Sequence, residues 1–267
     1  MNIIEYKMVE LLENLKQNYN VIGVKAEFEA EGTRIEEAMR LKEVSLRAGL
    51  ELSIKIGGCE AIKDMFDAAS LGTKNIIAPM VETPFALKKF LAATHLAFSE
   101  DERKDMDFFI NLETQTACQN FDDMLKLPEI DQLSGIVLGR VDLTGSLGQG
   151  RDYVDSSEIL DLCISSAAKA KAKGKKVVVG GAMSYNSVPF LKAFPKGQLD
   201  RFETRKVIFG CPEAIQNRKE AFLMAVEFEL LWLKNKRDYY GAIHREDDVR
   251  LAMMENRYQS SIESIKK

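Results

Sequence analysis

Two apolar runs in this sequence each end in an acid. Phe108-Phe109-Ile110-Asn111-Leu112 runs into Glu113. Ile136-Val137-Leu138-Gly139-Arg140-Val141 runs into Asp142, with the small-residue stretch Thr144-Gly145-Ser146-Leu147-Gly148 behind it. A buried strand that stops at a carboxylate presents it at a loop end, and one helix-sized segment lies between the two acids. Consecutive parallel strands joined by such a crossover bring both carboxylates to one rim. The pair suits a hard divalent cation, Mg²⁺ or Mn²⁺, which takes oxygen ligands and keeps waters for a substrate to displace. The alternative is that each acid caps the helix after it, since Asp and Glu favour first turns.

The elements that must position these acids alternate along the chain. Strand-like runs occur at Val21–Ala30, Leu50–Ile56, Asn75–Glu82, Phe108–Glu113, Ser134–Leu138, Lys176–Gly181 and Val207–Gly210. Helical spacing lies between them, as in Ile35, Ala38, Met39, Leu41 and Leu46, or Ile62, Met65, Phe66 and Ala69. Glycines stop several of these helices, Gly49 and Gly72 among them. The alternation predicts an α/β chain with a parallel sheet and crossovers, and we expect a TIM-type (β/α)8 barrel. Seven strands are legible. The eighth is either hidden in the N-terminal segment, giving a missing or atypical first strand, or its gap is plugged by the N-terminal helix expected over the first 18 residues. A doubly wound open sheet competes, but no G-x-G-x-x-G follows the first run. The expected division is a barrel with its N-terminal helix over 1–211 and a helical extension over 212–267. In that extension Ala221, Phe222, Met224, Ala225, Phe228, Leu231 and Trp232 form a broad apolar face. It would cover either a subunit interface or the last helix, around Val249 to Ile265.

At 267 residues the chain has the size of one barrel domain. A formal net charge of −4 argues against general affinity for nucleic acid or anionic membrane. No run is apolar enough to span a bilayer, and the N-terminus lacks the pattern of a secretory signal. Cys59, Cys118, Cys163 and Cys211 are scattered without C-x-x-C spacing, which predicts reduced thiols and a cytoplasmic protein.

Three motifs then occur in order: Pro79-Met80-Val81-Glu82-Thr83; Ile110-Asn111-Leu112-Glu113-Thr114 with Asn120 and Asp122-Asp123; and Leu138-Gly139-Arg140-Val141-Asp142-Leu143 with Ser146-Leu147-Gly148. From about Val21 to Gly210 the chain resembles the HpcH/HpaI aldolase and citrate lyase β-subunit family. The resemblance implies the barrel fold and a divalent metal, Mg²⁺ or Mn²⁺. It also implies carbon–carbon lyase chemistry on 2-oxo acids or acyl-CoA esters, and homo-oligomers formed through C-terminal helices. Glu113 and Asp142 fall on the family's metal-binding acids. Lys55 falls where the family has a substrate-binding arginine, and Asn111 where some members place a glutamine. Gly139 and Val141 are expected beside the substrate. Glu27 and Glu29 fall near a strand end that in the aldolase branch also supplies a histidine.

This chain departs from that pattern in three places. Phe28 follows Glu27 and Ala30 follows Glu29, and the two histidines, His95 and His244, lie in helical segments. Either acid would serve as the base if burial raised its pKa; otherwise both are solvated strand-end residues. Lysine at position 55 keeps a charge but loses the bidentate fork of arginine. Arg140, where relatives often have proline, either restores a guanidinium at the rim or makes a surface ion pair. Gly180-Gly181-Ala182 reads as close packing or else as a ligand's approach to the backbone, Glu203-Thr204-Arg205-Lys206 as solvated or else with Arg205 reaching a substrate carboxylate or phosphate, and Gly148–Arg151 as a loop. The leading expectation is a metal-dependent lyase or aldolase acting on a 2-oxo acid. The alternatives are a Schiff-base aldolase using Lys55, or a non-catalytic barrel that binds a metabolite or partner.

Overall fold

Apolar and polar residues alternate along the strands, and the two sets go to different places. The computed structural model describes residues 1–216 and 219–265; positions 217–218 and 266–267 of the expected C-terminal extension lie outside the described residues. The strands β1 (Val21–Glu27), β2 (Glu51–Lys55), β3 (Asn75–Ala78), β4 (Asp107–Leu112), β5 (Gly135–Gly139), β6 (Lys176–Gly180), β7 (Arg201–Glu203) and β8 (Val207–Gly210) close into a barrel in sequence order. Helix α1 (Ile3–Tyr19) precedes β1. The connections carry α2 (Ile35–Arg47), α3 (Ile62–Ser70), α4 (Pro84–Ala97), α5 (Glu100–Asp105), α6 (Gln115–Met124), α7 (Arg140–Ser146), α8 (Ser157–Ala172) and α9 (Val188–Lys192), and α10 (Lys219–Ile265) follows β8.

Outward strand residues such as Leu52, Ile54, Ile110, Leu112, Ile136 and Leu138 join the large core beneath the helices. Inside the barrel, Ile77, Phe109, Val137 and Val178 form one separate apolar layer. Polar groups lie on both sides of it. At the N-terminal ends of the strands, Asp107 is 2.7 Å from Lys176 and 3.7 Å from Arg201. At the C-terminal ends lie the charged groups of the site. Helices that follow the strands are started by hydroxyl caps: Thr83 accepts from the Ala86 N–H, Thr114 from Ala117 and Ser156 from Ile159.

The barrel is closed as the sequence predicts, and its irregularity lies at the end rather than the beginning. β1 pairs with β2 from Gly23↔Glu51 to Glu27↔Lys55 without interruption. The missing strand is Arg201–Glu203, part of it in the segment read as solvated. Its three residues include one apolar side chain, Phe202, too little to make a pattern. Instead of running parallel, β8 is antiparallel to both β7 and β1. The Thr204–Lys206 turn that makes this hairpin is held by Thr204 N–H to Val207 O at 2.9 Å and Val207 N–H to Thr204 Oγ1 at 3.1 Å.

Inverting β8 returns the chain to the bottom of the barrel, where Gly210 N–H bonds Asn20 O at 2.9 Å. Helix α10, 47 residues and about 70 Å long, therefore climbs the wall from bottom to rim. Ala221, Phe222, Ala225, Phe228 and Trp232 of its apolar face are buried against the rest of the chain, with no need of the last helix expected around Val249 to Ile265. Phe222 stacks on Phe202 and Phe209 at 5.8 and 6.1 Å, and Lys206 lies 5.6 Å from the Trp232 ring. The expected last helix is the continuation of the same helix, and there Val249, Leu251, Met253, Met254 and Tyr258 are exposed. Among the described residues no helix is long and apolar enough to cross a membrane.

Truncating Phe222 to alanine is expected to cost about 3 kcal/mol of stability, because it empties the stack between α10 and the β7–β8 hairpin. Leu251→Ala, on the exposed half of the same helix, should stay within about 0.5 kcal/mol of the wild type. Urea unfolding of both variants checks the contrast.

Candidate active site

A cavity of about 410 Å³ opens at the C-terminal ends of the parallel strands. Lys55, Glu27, Glu29, Asn111, Gly139, Val141, Glu113 and Asp142 all line it. Arg140 does not.

Glu113 follows β4 directly and is almost completely buried. Its Oε1 accepts the Met80 N–H at 3.0 Å and its Oε2 accepts Asn111 Nδ2 at 2.7 Å. Met80 reaches that position in a left-handed conformation, φ 51°, which is unfavourable for a residue with a side chain and aims its N–H at the carboxylate. Leu112↔Leu138 pairing places Gly139 beside Glu113, and a Cβ on Gly139 would lie 2.7 Å from Glu113 Oε2. The glycine leaves room for the acid. Burial pushes the Glu113 carboxyl above the usual range and the Asp142 charge adds to this, against the pull of Lys55, Met80 N–H and Asn111.

Asp142 sits in the first turn of α7 and is exposed. With Glu113 it offers carboxylate oxygens, and the buried Asn111 Oδ1 beside them has no hydrogen-bond partner. Two partly uncompensated carboxylates and one vacant carbonyl oxygen fit a hard divalent cation. Among the described residues no group of three or more His, Cys, Asp or Glu could hold a metal ion. A cation held here would have these two acids as its charged donors and take its remaining ligands from other oxygens, as Mg²⁺ commonly does.

Two buried lysines interleave with the acids. Lys55 Nζ lies 2.8 Å from Glu29 Oε2 and 3.8 Å from Glu113 Oε2. Burial alone would lower the Lys55 pKa, but Glu113, Glu29 and Glu27 together raise it, so the ammonium is retained. Lys25 pairs with Glu203 and lies 3.2 Å from Glu27. Despite its burial Lys25 is held strongly protonated by these two acids. Burial would raise Glu27, but Lys25 and Lys55 bring it below the ordinary carboxylate value. The condition on which Glu27 would serve as the base, a pKa raised by burial, is therefore not met.

Arg140 is fully buried on the side of α7 away from the cavity. Its guanidinium donates to Gly180 O at 3.1 Å, Gly181 O at 2.6 Å and the Asp155 carboxylate. Neither reading of Arg140, rim guanidinium or surface pair, describes this. The reason is local: α7 begins at Arg140, so residues 140 and 142 diverge by roughly 200° instead of sharing a strand face. The histidines are both remote: His95 bonds Gln132 at 2.8 Å, and exposed His244 lies 3.1 Å from Asp248.

Several contributors escaped the sequence reading. Lys25 shares the face of Glu27 by period-two spacing, a signal legible in Val24-Lys25-Ala26-Glu27. Glu203 and Lys206, read as solvated, are buried, and Lys206 pairs with Glu31. Arg205 is 3.1 Å from the same acid. Ala225, Val226 and Glu229 of α10 complete one wall of the cavity, and no local signal places them there.

The HpcH/HpaI aldolase/citrate lyase family model matches residues 37–184, from α2 to just past β6. That span holds Lys55, Asn111, Glu113 and Asp142 but not β1, the inverted hairpin or α10. An HpcH/HpaI aldolase from Desulfitobacterium hafniense DCB-2 superposes with a TM-score of 0.59 at 10% identity, covering 74% of this chain and 82% of that one. An HpcH/HpaI aldolase/citrate lyase family protein from Burkholderia cenocepacia J2315 gives 0.60 at 12%, covering 86% and 90%. The citrate synthase SbnG gives 0.58 at 14%, also covering 86% and 90%. At such identities the likeness is one of fold. No curated protein sequence matches the chain.

Replacing Lys25 by methionine strands two buried acids and is expected to cost about 3 kcal/mol at about pH 7. In the wild type Glu27 titrates below its unfolded value, so its stabilisation is present above that range and lost as pH falls through it. In the variant burial acts on Glu27 without its main counter-charge, and protonation then relieves the native state. The loss should therefore shrink by about pH 5, which urea unfolding at both pH values measures.

Proposed function

This chain belongs to the HpcH/HpaI aldolase/citrate lyase family, and on that premise we propose that it is a divalent-metal-dependent carbon–carbon lyase acting on a 2-oxo acid by pyruvate-type enolate chemistry. The observation that supports this reading most directly is the pair Glu113 and Asp142 beside the vacant Asn111 Oδ1, with the Lys55 ammonium next to them.

In this reading Glu113 and Asp142 hold Mg²⁺ or Mn²⁺. When bound, the cation supplies Lewis-acid stabilisation of negative charge developing on the keto oxygen. Lys55, kept charged by its acids, contributes a second positive charge at the same place. Asn111 Oδ1 accepts a hydrogen bond from a substrate hydroxyl or a water. Gly139, whose missing side chain leaves room for the Glu113 carboxylate, and Val141 line the side of the cavity where the substrate would lie. Glu29 is the candidate base: it is partly exposed and lines the cavity. Glu27 instead pairs with Lys25.

The Schiff-base alternative requires a neutral amine, and the raised pKa of Lys55 opposes it. The exposed apolar residues of the outer half of α10 support a further proposal, that copies of this chain associate through their C-terminal helices. Sedimentation that returns a monomer would remove it.

Glu113→Gln and Asp142→Asn are each expected to abolish pyruvate release or methyl-proton exchange with Mg²⁺ or Mn²⁺ while far-ultraviolet dichroism stays unchanged. Chelator should silence the wild type equally. Turnover at the wild-type rate in both variants would sink the metal assignment. Borohydride added with pyruvate should leave no covalent adduct on Lys55.

A further inference from the structure

The two acids of the site are held very differently. Glu113 is fixed by the Met80 N–H and Asn111. Among the described residues no hydrogen bond or ion pair holds the Asp142 side chain, so its place is inherited from the backbone of α7. That helix has seven residues, and its N-cap, Gly139, provides no side-chain cap. A single short helix of this kind does not hold its own position.

Arg140, the first residue of α7, supplies the missing anchorage. Besides Gly180 O, Gly181 O and Asp155, its guanidinium reaches Ser187 Oγ at 3.4 Å and lies over the Phe190 ring at 4.7 Å. Asp155 is itself tied to the far side, accepting from Ser187 Oγ at 3.3 Å. The turn after β6 presses directly on the same helix: a Cβ on Gly181, φ +83°, would lie 2.9 Å from Arg140 N and 2.8 Å from Val141 N. One buried side chain thus joins the start of α7 to the end of β6, to the segment before α8, and to the approach to α9.

Resting on the metal reading above, we propose that Arg140 is a positioning residue that sets the affinity of the site for its divalent cation, with Asp155 as its counter-anchor. It holds Asp142 in register with Glu113 from outside the cavity. Arginine is suited to this because its planar fork serves two carbonyls and a carboxylate at once, which an ammonium does not.

The test is Mn²⁺ binding to the full-length protein, read as free Mn²⁺ by electron paramagnetic resonance at a temperature where dichroism shows each variant folded. Arg140→Met is expected to weaken Mn²⁺ binding about 10- to 100-fold, the size of effect seen for groups that orient metal ligands. Arg140→Lys should recover part of that loss and Asp155→Asn should lose several-fold, and these two carry the test if Arg140→Met fails to fold. A lowered unfolding midpoint with wild-type Mn²⁺ affinity would make Arg140 merely structural and overturn the proposal. Wild-type protein that binds no Mn²⁺, or Glu113→Gln that binds it as well as wild type, would instead overturn the metal reading and this proposal with it.

Discussion

Charge pairing inside the barrel governs the rest of this structure. A barrel interior that admits ions must neutralise each one, because an unpaired buried charge is far more costly than a lost contact. Here lysines and glutamates alternate in two short series, Glu203–Lys25–Glu27 and Glu29–Lys55–Glu113. Most members have an opposite charge in contact. Glu113 is the exception: its nearest ammonium is 3.8 Å away, and Asp142 adds further negative charge. The excess of negative charge at the rim therefore falls on the two acids suited to a cation.

The inverted last strand decides which groups can reach that rim. Because β8 runs downward, the hairpin turn Thr204–Lys206 stands at the cavity edge, and α10 must pass the full height of the barrel. Its inner face is consumed by its own chain at Phe222, Phe228 and Trp232, and Ala225, Val226 and Glu229 become cavity wall. The same geometry carries the outer half of the helix away from the barrel, leaving its apolar residues uncovered.

Legibility followed the physics of each element. The strong apolar approach of Leu112 to Glu113 announced a residue that lines the cavity, and Lys55, singled out by the family resemblance, lines it too. Period-two spacing in β1 also places Lys25 on the face of Glu27. Arg140 misled because the β5 pattern reads on to Asp142 in sequence, whereas the helix starts at once and turns the two residues to opposite sides. Arg201–Glu203 escaped because Phe202 is its one apolar side chain, over too few residues to stand out.

The sequence by itself determined the alternation of strands and helices, the barrel class and the placing of two acids at strand ends. Each of these depends on local periodicity, which a short window contains. Only the tertiary structure decided the direction of β8, the use of α10 as a cavity wall and the burial of Arg140 beneath α7. It also decided the proton affinities, lowering Glu27 and raising Glu113 although both are strand-end glutamates. Those outcomes depend on which charges meet across the barrel, between residues as far apart in the chain as Lys25 and Glu203, and no local pattern encodes that distance.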